Sequence, residues 1–182
     1  MRPVITIGYD SDAYEENSFA SIRSFFENQK ANVKLVHVLR KALDVPSIIE
    51  ITLHISATYF LKGFFTEAGK DVWKELKKVL LSTKKHDVPE LGVRIELQNL
   101  LIVTRIRTNE EATIERFMKK FVSSKLDIEE MSKNVPKGLN YIILQYDERQ
   151  DVFEAKSLQQ QEGATLNMRF NFNTKNWEQE RE

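Results

Sequence analysis

The chain has no cysteine, which excludes disulfide cross-links, thiolate nucleophiles, iron–sulfur clusters and cysteine-ligated zinc. Glycine and proline are scarce, six and four among 182 residues, so a loop-rich, collagen-like or disordered chain is excluded as well. Neither charge is in excess, because 27 Lys and Arg balance 27 Asp and Glu. Without a global field only a local patch could concentrate nucleic acid or anionic lipid, and near-zero charge favours self-association or a partner surface. Long apolar runs are missing too. The densest stretch, Ile48 to Phe65, contains Glu50, His54 and Lys62. A membrane-spanning helix needs about 20 predominantly apolar residues, and each charged group at mid-bilayer costs about 2.5–3.5 kcal/mol. No span is expected.

What is present reads as one α+β domain over residues 1–173, with a frayed, charged tail over 174–182. Met1-Arg2-Pro3 leads directly into the β-rich run Val4 to Ile7, too short for the core of a signal peptide, which points to a cytoplasmic protein. Val4 to Ile7, ending at Gly8, is a buried strand. Glu15, Glu16 and Asn17 suit a helix start, and Phe19, Ile22, Phe25 and Phe26 form one helical face. Val33 to Leu39 is the next strand. This βαβ-like unit implies a parallel, right-handed crossover.

Ile49, Ile51, Leu53 and Ile55 alternate with Glu50, Thr52, His54 and Ser56, the period of a half-buried strand, with a helix running on from Pro46 as the alternative. Leu61 to Leu80 then shows three- and four-residue spacing and predicts a long central amphipathic helix. Val93 to Leu97 and Leu100 to Ile106 are strands joined at Gln98-Asn99. Thr108 with Glu111 has the form of a capping box for a helix burying Ile114, Phe117, Met118, Phe121 and Val122, and Asp127 with Glu130 suggests a shorter helix ending before Pro136. The C-terminal part is an antiparallel meander: Tyr141 to Tyr146, Val152 to Ala155 and, after a connector at Gln159 to Gly163, the alternating Leu166, Met168, Phe170 and Phe172. The expected architecture is thus a mixed sheet with a βαβ-like start and a meander at the end.

Gly63 to Asp71 looks like a phosphate loop, but five residues separate its first glycine from Gly69-Lys70, and Asp71 stands where magnesium needs a hydroxyl. The helical reading explains every residue there. Asp10-Ser11-Asp12, after the first strand, is the best catalytic candidate, because paired carboxylates at a strand end can hold magnesium while one attacks phosphorus. Asp147 and Asp151 offer a later acidic pair, as further metal candidates. A strand followed by Asp-x-Asp resembles the opening of haloacid-dehalogenase-like phosphatases, which would imply magnesium-dependent phosphoryl chemistry at Asp10 and Asp12. Tyr14 replaces that motif's small residue, and Asp147 to Asp151 also reads as a hairpin turn. The competing use of Asp10 and Asp12 is an Asx-turn with acidic helix capping.

His37, His54 and His86 form no metal-binding helix motif, and no Gly-x-Ser-x-Gly elbow exists. Lys74, Lys77, Lys78, Lys84 and Lys85 cluster at the end of the central helix, where cations meet the negative dipole terminus. Only Trp73 accompanies them, so the pattern falls short of a nucleic-acid surface. These readings converge on a non-enzymatic protein-interaction or regulatory adaptor module of bacterial cytoplasmic type, of a size that suits signalling or defence. It needs no cofactor, and its partner is another protein or a second copy. The alternatives are the magnesium-dependent phosphohydrolase and a peripheral membrane effector using the lysine-rich helix.

Overall fold

Period-two burial builds most of this molecule. In the computed structural model, which describes residues 3–38, 46–55, 67–85, 87–97, 100–161 and 164–180, alternate apolar residues face one common core. The elements run β1 (Val4–Tyr9), a 3₁₀ turn (Glu16–Phe19), α1 (Ala20–Asn28), β2 (Asn32–His37), β3 (Ile48–Ile55) and α2 (Glu67–Leu81). There follow β4 (Glu90–Leu97), β5 (Leu100–Arg107), α3 (Glu111–Ser123) and α4 (Lys125–Lys133). Four strands close the chain: β6 (Tyr141–Asp147), β7 (Val152–Gln161), β8 (Ala164–Asn171) and β9 (Asn176–Gln179). The fold is α+β, with the nine described strands in one mixed sheet of order β2-β1-β3-β4-β5-β6-β7-β8-β9.

Register carries one face across the sheet. Ile7 lies beside Ile51, Ile51 beside Val93, Val93 beside Thr104 and Thr104 beside Leu144. The helices cover that face. Phe19, just before α1, stacks on Tyr9 with ring centroids 4.8 Å apart, and Phe117 of α3 meets Tyr146 at 5.5 Å and Phe153 at 5.7 Å. α2 lies between them, burying Val72, Trp73, Leu76, Val79 and Leu80. These side chains belong to one continuous hydrophobic cluster.

Parallel pairing of β1 with β2 agrees with the expected crossover, but its hand is constrained in an unusual way. β1, β2, β5 and β6 all point the same way, yet β1 steps to β2 in one direction across the sheet and β5 steps to β6 in the other. With α1 and α3 on the same face, the two crossovers have opposite hands. One of them therefore departs from the right-handed rule that holds in about 98% of such units.

Several boundaries differ from the sequence reading. Ile48–Ile55 is a strand, and the helical alternative is not adopted. The expected central helix is described as Glu67–Leu81, fifteen residues against thirteen in α3 and nine each in α1 and α4, so among the described residues it does not stand out as a long central axis. Leu61 to Thr66, and with them the start of the glycine-containing loop motif, fall outside the described residues, as does the Gln98-Asn99 turn. Thr108 does not close a capping box. Its Oγ1 accepts from Glu110 N at 3.1 Å, and Glu110 takes the N-cap position with no side-chain cap bond. β7 runs on through Gln161 into the expected connector. The segment expected to fray after Thr174 instead forms β9, which pairs with β8, and Trp177 docks on Phe170 at 5.4 Å.

Candidate functional site

Two polar constellations and one surface are positioned by this sheet. The first sits where β1 ends. Asp10 leaves the strand with its amide bonded to Ile48 O at 3.1 Å, and its carbonyl accepts from the Ala13 and Tyr14 amides. Its buried carboxylate accepts from Asp12 N at 3.0 Å through Oδ1 and from Lys85 Nζ at 2.6 Å through Oδ2. The Asx-turn predicted from Asp10-Ser11-Asp12 is therefore present, and a lysine occupies the side where a cation would approach. The hydrogen bond to Asp10, with the charges of Asp10, Asp12 and Asp87, raises the Lys85 ammonium above the ordinary lysine range.

Beside it, Asp87 accepts from Ser47 N at 2.6 Å and from Ser47 Oγ at 2.7 Å, while Thr83 Oγ1 donates to Ser47 Oγ at 3.1 Å. Tyr14 buries its ring and donates to Leu80 O at 3.3 Å, and burial pushes the phenol well above its usual value. This network ties the α2–β4 connection to the end of β1.

Asp147 and Asp151 are elsewhere. They lie at the same end of the sheet but on the β6–β7 turn, four strands from β1. At about 4.8 Å per strand that is about 19 Å. Asp147 Oδ1 accepts from the Arg149 and Gln150 amides, and Asp151 Oδ1 accepts from Tyr146 OH at 2.6 Å. Among the described residues no group of three His, Asp or Glu side chains could hold a metal.

The second constellation is one the sequence did not reveal. Glu96 Oε2 lies 2.5 Å from His54 Nδ1, and His54 Nε2 lies 3.3 Å from Thr6 Oγ1. Register across β1, β3 and β4 aligns carboxylate, imidazole and hydroxyl in the order of a nucleophilic triad. Acyl transfer also needs donors for an oxyanion. Among the described residues the surrounding amides belong to interior strands and are spent on sheet ladders, so none of them is free to form such a hole beside His54. His37 ends β2 beside Tyr9, 3.7 Å from Glu16, and His86 lies outside the described residues.

The lysines of the predicted cationic cluster are all paired. Lys74 meets Asp71, Lys77 meets Glu111 and Glu115, Lys78 meets Glu75, Lys84 meets Glu15, and Lys85 meets Asp10.

The third feature is the sheet's other face, on which no described helix packs. Its middle is an apolar strip: Leu101 and Val103 of β5 stand beside Tyr141 and Ile143 of β6. Tyr141 and Ile143 are 38% and 39% exposed, an unusual state for large apolar strand residues. Ion pairs flank the strip on both sides. Glu50 pairs with Arg94 and Arg105, and Arg105 also reaches Glu90. On the far side Glu154 pairs with Arg169 and Lys156, and Lys156 reaches Glu180. No described helix is long and apolar enough to cross a membrane. Comparison with known proteins found no matching family model, no matching curated protein and no matching solved structure.

Proposed function

We propose that the chain is a protein-interaction module, of the regulatory or adaptor kind, that docks through the face of its sheet on which no described helix packs. The observation that carries this reading is the apolar strip of Leu101, Val103, Tyr141 and Ile143, bordered by ion-paired side chains on both flanks. An apolar centre with a polar rim is the anatomy of a protein interface.

The alternatives find less support. Asp10 has both carboxylate oxygens engaged, one by Lys85, so magnesium would have to displace a half-buried ion pair. The apolar side of α2 is buried in the core and offers nothing to insert into a bilayer. The test is a photo-crosslinking residue placed at Tyr141 and, in a second variant, at Lys119 on the helix side. Irradiation in cells is expected to give discrete protein adducts at position 141 and none at 119. Equal labelling at both positions, or none at 141, would overturn the reading.

A further inference from the structure

Resting on that reading, we infer that the partner of this face is a second copy of this chain, related by a two-fold axis parallel to the strands. Size is the first argument. Nine strands give eight inter-strand steps. At about 4.8 Å per step, and with strands about 23 Å long, the face measures about 900 Å², close to the roughly 800 Å² that each partner contributes to a standard interface.

Charge, counted over the described residues, supplies the second argument and fixes the axis. On the β2-to-β5 side of the strip, register places Lys34, Arg94, Arg105 and Arg107 on this face together with Glu50, Glu90 and Glu96. Four cations against three anions leave +1. On the β6-to-β9 side the face carries Lys156 and Arg169. Against them stand Asp147, Glu154, Glu178 and, just past β9, Glu180. Two cations against four anions leave −2. Within the positive half Arg105 is 52% exposed, while the Glu50 it pairs with is 19% exposed.

Face-to-face packing allows two families of two-fold axis. An axis across the strands sets each half against its own equivalent, like charge on like. An axis along the strands sets the positive half of one copy on the negative half of the other, and superposes the two apolar strips at the centre. Isologous contacts of this kind are self-complementary by construction. Sheets so related stack about 10 Å apart with their strands nearly aligned.

The test is sedimentation equilibrium on the full chain with three charge variants, each checked for folding by circular dichroism. The wild type is expected at twice its 21.3 kDa chain mass. Arg105→Glu with Arg107→Glu makes both halves negative, and Glu178→Lys with Glu180→Lys makes both positive. Each pair should weaken the dimer by about tenfold or more, at roughly 1.4 kcal/mol per decade. All four substitutions in one chain exchange the halves and should restore the dimer. A monomeric wild type at high micromolar concentration overturns the inference, and a foreign protein crosslinked at Tyr141 would then leave the interaction reading standing. Dimerisation that ignores all three variants, or that the fourfold variant fails to recover, overturns this axis and this face.

Discussion

Replacing Lys85 with methionine isolates the energetics at the end of β1. The Asp10 side chain is 4% exposed and holds two hydrogen bonds, from Asp12 N at 3.0 Å and Lys85 Nζ at 2.6 Å. Lys85→Met keeps the aliphatic stem and the first bond, but leaves the second carboxylate oxygen without its ammonium. Removing one member of a fully buried pair costs about 3–5 kcal/mol. Lys85 is itself 36% exposed, so water screens the pair and can replace part of what is lost. About half that cost, roughly 2 kcal/mol, is therefore expected. For a chain of this length that lowers Tm by about 4–8 °C. The carboxylate is the group left stranded, so Asp10→Asn should relieve part of the damage. In the double variant the two effects should fall short of additivity by about 1 kcal/mol. Urea unfolding followed by circular dichroism at pH 7 measures all four corners of the cycle. A Lys85→Met loss under about 0.5 kcal/mol, with an additive cycle, would refute the assignment of this pair as a lock on the α2–β4 connection.

Stability should fall in alkali. Lys85 and Tyr14 have raised pKa values, and burial with the bond to Asp151 pushes Tyr146 up to about 12. Each group keeps its proton longer in the folded state, so its contribution is complete below the unfolded value and is lost as pH rises through the folded one. Urea titrations should show a plateau below about pH 9.5, then a loss of roughly 1.4 kcal/mol per pH unit for each such group, with Tyr146→Phe shallower. A curve flat to pH 11 would contradict this. Thr104 is 2% exposed on the helix side, and its hydroxyl has no hydrogen-bond partner among the described residues. Thr104→Val should therefore stabilise the fold by about 1–2 kcal/mol, and a loss in chemical denaturation would show a bonded hydroxyl. Phe117→Ala, removing a ring that contacts Phe121, Tyr146 and Phe153, should cost about 3–5 kcal/mol in the same assay. Millimolar magnesium should leave Tm unchanged, whereas a rise abolished by Asp10→Asn would revive phosphoryl chemistry there.

Local periodicity exposed much of this fold. Ile49, Ile51, Leu53 and Ile55 announced β3 through alternation, and Phe117 and Phe121 announced the buried side of α3, because pleat and helix each repeat within a few residues. The last strand escaped for a matching reason. Asn176–Gln179 is a four-residue, mostly polar edge strand, and Trp177 was its one apolar signal. The site residues escaped because non-local pairing assembles them. Thr6 and His54 are 48 positions apart, His54 and Glu96 are 42 apart, and Asp10 and Lys85 are 75 apart. Only the sheet order and its register place them side by side. Asp10-Ser11-Asp12 was visible as a turn, but its lysine partner was not. The apolar strip was hidden more subtly. Tyr141 and Ile143 alternate with Ile142 and Leu144, so all four read as strand, and only the position of the helices shows which pair is left uncovered.

The most direct test of the account is the solvent reach of that strip where the protein works. Hydroxyl-radical oxidation of Tyr141 and Ile143 should be measured in intact cells and in dilute purified chain, with Val88, an exposed residue before β4, as reference. Protection of Tyr141 and Ile143 by severalfold in cells, with Val88 unchanged, is the expected result. Equal reactivity in both settings would mean that the face stays in water, and would contradict an interaction role for it.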